Sequence, residues 1–147
     1  RDWCLEKRST YLDFAENDYK FFMYNFDHEV FGTSMAALGQ NICERYLKHI
    51  ISEYAQPCSV EEEMNKKAVL HAHSLKKIMR YMKDEMQIQI PSSVSNAMKI
   101  IDGFYFTTRY PGNDSFIAGE EEIADAANAV KLTREFTLDI IKRLEEL

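Results

Sequence analysis

One arginine stands on a break in a chain otherwise rich in helix formers, within Thr107-Thr108-Arg109-Tyr110-Pro111-Gly112-Asn113-Asp114-Ser115-Phe116. Pro111 fixes its own φ and pushes Tyr110 toward extended geometry. Gly112, Asn113 and Asp114 supply turn chemistry, so no helix runs through the stretch. A guanidinium held on such a loop is suited to meet an anion such as a phosphate or carboxylate, and Tyr110 beside it can stack. The plainer alternative is a helix connection whose arginine pairs with a nearby carboxylate.

Three further patterns carry polar chemistry. His71 and His73 form an H-x-H pair, which binds metal only when more ligands converge; nothing near them in the chain completes such a set. On a helix the two side chains diverge and in an extended segment they share a side. We expect no metal or other cofactor, and we expect His73 to hydrogen-bond within the fold or line a groove. Gln40, Glu44 and Lys48 recur at i to i+4 on one helix face, either as a solvated ladder or as a polar row facing a partner surface. Lys76, Lys77, Arg80 and Lys83, with Lys66 and Lys67 as additions, make either an ordinary solvent face or a nucleic-acid patch. The formal net charge of −6 disfavours nonspecific capture of a nucleic-acid backbone unless cations are concentrated locally.

Helices must position these residues. The spacing of Leu5, Leu12, Ala15, Tyr19, Phe22 and Phe26 predicts a first helix over about Trp3–Phe26 with that side inward. Asp27, His28 and Gly32 break it. A second helix over Thr33–Tyr54 is expected to bury Met35, Leu38, Ile42, Tyr46, Leu47, Ile50 and Tyr54, forming an antiparallel hairpin with the first. Gln56-Pro57-Cys58 ends that hairpin. Ser59 reads as an N-cap for a helix from Val60, whose Glu61, Glu62 and Glu63 suit its positive end.

The stretch from Ser74 to Met86 is either a new helix capped by Ser74 or a continuation of the previous one. Its apolar stripe is Leu75, Ile78, Met79, Met82 and Met86. After Ile90-Pro91 a helix from Ser92 or Ser93 to Phe104 is expected to turn Val94, Ala97, Met98 and Ile101 inward. The last runs over about Glu120–Leu147 and buries Ile123, Ala127, Val130, Thr137, Ile140, Ile141 and Leu144.

These elements predict an all-α fold of four or five helices in one domain spanning residues 1–147. At 147 residues and 46% hydrophobic content the chain can bury a core without disulfides. Its three cysteines, Cys4, Cys43 and Cys58, leave an odd thiol and no C-x-x-C spacing, which argues against a disulfide framework or a zinc knuckle. No apolar run approaches the ~20 residues that span a bilayer, and the first residues are too polar for a secretory signal. A soluble, cytoplasmic protein without a membrane partner is expected.

Several of these segments, in order, resemble the HEPN domain family, named for higher eukaryotes and prokaryotes nucleotide-binding. They are Ala15-Glu16-Asn17-Asp18-Tyr19, then Gly39-Gln40-Asn41-Ile42-Cys43-Glu44-Arg45-Tyr46-Leu47-Lys48, then His71-Ala72-His73-Ser74-Leu75, and last Thr108-Arg109-Tyr110-Pro111-Gly112. The resemblance implies an up-and-down four-helix bundle with one additional short helix, commonly a homodimer. It also implies that His73 lies near the Arg109 loop. If the Gln40–Glu44–Lys48 row lines a dimer groove or partner surface, Tyr110 and Arg109 sit at its rim, and the candidate ligand-binding residues are Arg109, Tyr110, His73, Asp114, Glu44 and Lys48.

The chain departs from the RNA-cutting members of that family, in which a histidine follows the arginine after four to six residues. Here those positions lead to Asp114, Ser115 and Phe116, and no histidine occurs after His73. Cleavage through a 2′-hydroxyl needs a base as well as a cation, and an ordinary exposed aspartate is too acidic to serve well near neutral pH. The expectation is therefore a noncatalytic nucleotide-binding or protein-interaction module, a homodimer or the partner of a nucleotidyltransferase. The alternative is a metal-independent ribonuclease of the toxin type found in toxin-antitoxin pairs, using Arg109 with an unconventional base.

Overall fold

The computed structural model describes residues 9–108, 111–112 and 117–147. Among them, all regular structure is helical: α1 Tyr11–Asp27, α2 Thr33–Tyr54, α3 Val60–Leu70, α4 Leu75–Met86, α5 Ser92–Ile101, the single turn α6 Phe104–Thr107, and α7 Glu120–Glu145. None of these helices is long and apolar enough to cross a membrane.

Local chemistry sets most of the boundaries. Residues Trp3 to Arg8 of the expected first helix, Leu5 included, lie outside the described residues. The helix itself begins later than its apolar spacing suggested, because Thr10 is an extended N-cap. Its hydroxyl accepts from the Asp13 N–H at 3.2 Å and the Asp13 carboxylate accepts from the Thr10 N–H at 2.9 Å, a reciprocal capping box. Ser59 caps α3 as expected, accepting from the Glu62 N–H at 3.1 Å. His71 to Ser74 leave the helical path, so α4 is a new helix, capped by the Ser74 hydroxyl on the Lys77 N–H at 3.2 Å. Helix α5 stops at Ile101, three residues short of expectation. Gly103 takes φ +96°, a left-handed conformation that glycine adopts readily, and the one-turn α6 follows. These two interruptions raise the helix count above the expected four or five.

Helix α2 is the axis of the packing. It touches every other helix, and fourteen of its 22 residues are buried, so both its apolar and its polar positions are covered. Ile42, Tyr46, Leu47, Ile50 and Ile51 are fully buried there; each such side chain contributes about 1.5–3 kcal/mol over an exposed one. Helices α2, α4, α5 and α7 pack in a closed cycle, with α1 against α2 and α7 and α3 against α2 and α4. Gly39 lets α2 approach α7 closely: a Cβ there would lie 2.8 Å from the Ala126 Cβ and 3.4 Å from the Phe22 ring. The last helix buries the expected Ile123, Ala127, Val130, Thr137 and Ile140, and also Ala126, Ala129, Thr133 and Phe136.

Candidate functional site

The polar row of α2 turns inward. Gln40, Glu44 and Lys48 are 0%, 3% and 5% exposed, which overturns their reading as a solvated ladder. The reason is tertiary, since the segment between α3 and α4 lies over this face and bonds to it. The Gln40 amide donates to Glu44 Oε2 at 3.1 Å and to the His73 carbonyl at 3.0 Å. Glu44 Oε1 accepts from Lys48 Nζ at 3.4 Å and from His73 Nδ1 at 3.2 Å. Burying an ionised group costs several kcal/mol unless partners replace the lost water. Three donors from three side chains do so for Glu44.

His73 is the part of this cluster that reaches the surface, its side chain 52% exposed. Because Glu44 accepts, His73 Nδ1 carries the hydrogen, and the carboxylate fixes the plane of the ring. His71, two residues earlier, is engaged elsewhere, with Nδ1 donating to the Lys67 carbonyl at 2.8 Å. Among the described residues no group of three or more His, Cys, Asp or Glu side chains converges for a metal ion.

A second tie holds the His73 segment in place. Asp102, at the end of α5, accepts from the backbone N–H groups of Leu75 at 3.0 Å and Lys76 at 3.1 Å through its two carboxylate oxygens. It thereby caps α4 from another helix. The same residue opens the Gly103 turn into α6, where the Thr107 hydroxyl donates to the Gly103 carbonyl at 3.0 Å and the Thr108 hydroxyl to that of Phe104. Arg109, Tyr110 and Asp114 lie outside the described residues. Thr108, which precedes them, lines a hollow of about 530 Å³ with Ser34, Ala37, Leu38 and Asn41 of α2. The hollow and the His73 cluster therefore meet on α2, where Gln40 of the cluster is followed by Asn41 of the hollow.

A separate polar network joins α1, α2 and α7. Tyr46 Oη donates to Glu16 Oε1 at 2.5 Å, and Arg134 donates to both Glu16 oxygens at 2.7 and 3.1 Å while lying over the Tyr19 ring. Arg45 pairs with Asp18. The Arg134 guanidinium holds the Glu16 carboxyl below its ordinary range; burial, reinforced by Glu16, pushes the Tyr46 phenol up. With each group engaged by another, this network ties helices together. In the middle of α2, burial pushes the Cys43 thiol up to about 12, so it stays protonated.

The expected cationic patch divides between two sides of α4. Lys76, Arg80 and Lys83 line a hollow of about 620 Å³ shared with α5. Lys77, again with Arg80, lines one of about 380 Å³ shared with α3. Lys66 belongs to neither: its ammonium donates to the carbonyls of Ser52 at 3.1 Å and Ala55 at 2.9 Å, closing the C-terminus of α2. Sequence reasoning missed Asn41, Lys99 and the cap Asp102. Only Asp102 left a trace, a carboxylate before a glycine at a helix end, and nothing in its spacing named the helix it would cap. Compared with protein-family models, with curated proteins and with solved structures, the chain shows no significant match.

Proposed function

We propose that this chain is a noncatalytic HEPN-type module that holds a nucleotide or a protein partner, acting as a homodimer or beside a nucleotidyltransferase subunit. One observation supports the reading above others. Segments far apart in sequence that carry the resemblance, the Gln40–Glu44–Lys48 row and His73, meet in one hydrogen-bonded cluster. Asp102 ties the start of α4 to the segment that leads through α6 to Thr108, the residue before Arg109 in the sequence. In this reading Arg109 meets a phosphate, Tyr110 stacks on a base, and Glu44 with Lys48 keeps His73 and its neighbours fixed. The frame would be the cycle of α2, α4, α5 and α7, taken as a four-helix bundle with the other helices laid on it.

A thermal-shift panel of nucleoside mono-, di- and triphosphates tests this. A ligand at about 100-fold its Kd adds about 2.7 kcal/mol to a folded state it selects, and Arg109→Ala and His73→Ala should each remove that shift. A panel that leaves the melting temperature unchanged rejects nucleotide binding.

The carboxylate-held imidazole favours a second reading. A histidine oriented by Glu44 has the arrangement of a general base, which the sequence around Arg109 lacks. In a ribonuclease of this kind, His73 Nε2 would take the 2′-hydroxyl proton and Arg109 would offset charge on phosphorus. RNA cleavage lost in both Arg109→Ala and His73→Ala would identify it.

A further inference from the structure

The formal charge of −6 conceals a strong asymmetry. Residues 64–101 carry seven Lys and Arg against two Asp and Glu, a net +5, so the rest of the chain carries −11. Within that basic stretch, the hollow of about 620 Å³ between α4 and α5 gathers Lys76, Arg80 and Lys83 from one helix and Lys99 from the other. All four are exposed. Among the described residues the ion pairs are Arg45–Asp18, Lys48–Glu44, His73–Glu44, Arg134–Glu16 and Arg143–Asp139, and none involves a cation of this hollow. Among the described residues one carboxylate, Asp84, also lines it.

Lys76, Arg80 and Lys83 are spaced four and three residues apart, so they span about 10 Å along the helix at 1.5 Å per residue. A single phosphate cannot use a row of that length. A chain of phosphates can, and Lys99 on the facing wall lets it be held from both sides. Among the described residues no aromatic lines the hollow, so none of them supplies the base-stacking platform that most single-strand binders add to their charge.

We propose that this groove binds the phosphodiester backbone of a single-stranded nucleic acid without regard to sequence. Cations on both helices can flank one backbone lying between them. Charge distributed along the groove, with no aromatic among its described lining residues, selects backbone over base. None of its lining residues belongs to the His73 cluster or to the hollow beside Thr108, so the inference stands apart from the function proposed above.

The test is fluorescence anisotropy of the whole protein with labelled single-stranded RNA and DNA oligonucleotides of unrelated sequence, titrated at several salt concentrations. Expected is binding to all of them, with log K falling linearly in log salt at a slope near −2.8 for four phosphate contacts, about −0.7 each. Lys76→Ala/Lys99→Ala should reduce the magnitude of the slope by about 1.4, whereas Lys20→Ala/Lys142→Ala on other helices should leave it unchanged. Circular dichroism of each variant confirms that these exposed substitutions leave the fold intact. Absence of salt-dependent binding by the native chain would overturn the proposal. So would equal loss in the control variants, loss confined to Arg109→Ala, or tighter binding of a polyglutamate peptide than of either oligonucleotide.

Discussion

Helices α2 and α4 carry polar ladders of nearly the same spacing and put them to opposite uses. Gln40, Glu44 and Lys48 on α2 face the interior, where a carboxylate and an ammonium replace lost water with each other, Gln40 and His73. Lys76, Arg80 and Lys83 on α4 face solvent, where water carries the cost of their charge and leaves them open to an outside anion. The contrast teaches that helical spacing decides which residues share a face. What covers the face decides whether it holds the fold together or meets a ligand.

The largest effect should come from breaking the buried row. Glu44→Ala leaves the Lys48 ammonium buried without its counter-charge, and an uncompensated charge of that kind costs about 3–5 kcal/mol. Urea denaturation should show that loss, and Glu44→Met/Lys48→Met should recover most of it, because apolar pairs replace buried ion pairs at little or no cost. A Glu44→Ala midpoint within error of the native one would mean that the row is solvated after all.

Next in size is the close approach that lets α2 sit at the centre. Gly39→Ala forces a methyl against the Ala126 Cβ, and overpacking of this kind costs about 1–3 kcal/mol. Gly39→Ala/Ala126→Gly should restore part of the loss in the same denaturation experiment; α4 contains no glycine at which to repeat the effect.

A smaller effect depends on pH. His49, also on α2, accepts the Leu12 N–H through Nδ1 at 3.3 Å, and burial depresses its pKa against the opposing pull of Glu53, Asp13 and Glu145. The folded chain resists a proton that the unfolded chain accepts below about pH 6.5. Its stabilising contribution is therefore complete above that pH and is lost as pH falls through the depressed folded value. His49→Asn, which keeps an acceptor but cannot titrate, should flatten the decline of melting temperature from pH 7 to pH 5. An unchanged decline would show that His49 is not its source. Smallest of all, Lys76→Ala or Lys83→Ala should shift stability by no more than about 0.5 kcal/mol; a larger loss would show that these cations support the fold.

Much of the helical pattern was legible in the chain. Gly32 and the Gln56-Pro57 break bound α2, Ser59 and Ser74 announce the starts of α3 and α4, and the apolar stripe of α4 is the one that the core buries. The late start of α1 was legible too, in the Thr10-to-Asp13 capping box, but apolar periodicity outweighed it. Burial of Gln40, Glu44 and Lys48 was not legible, because spacing names a shared face and says nothing of a loop 29 residues away laid across it. Lys99 and Asp102 were hidden for the same reason: each acts on a helix other than its own.

In the proposed function the chain holds a phosphate-bearing ligand without cutting it. The most direct measurement incubates purified protein, free of added metal, with end-labelled RNA from pH 6 to 8 and follows fragment length. Intact RNA is expected at every pH, indistinguishable from Arg109→Ala and His73→Ala. Fragments formed by the native chain and lost in both variants would contradict it and make the Glu44-oriented histidine a catalytic base.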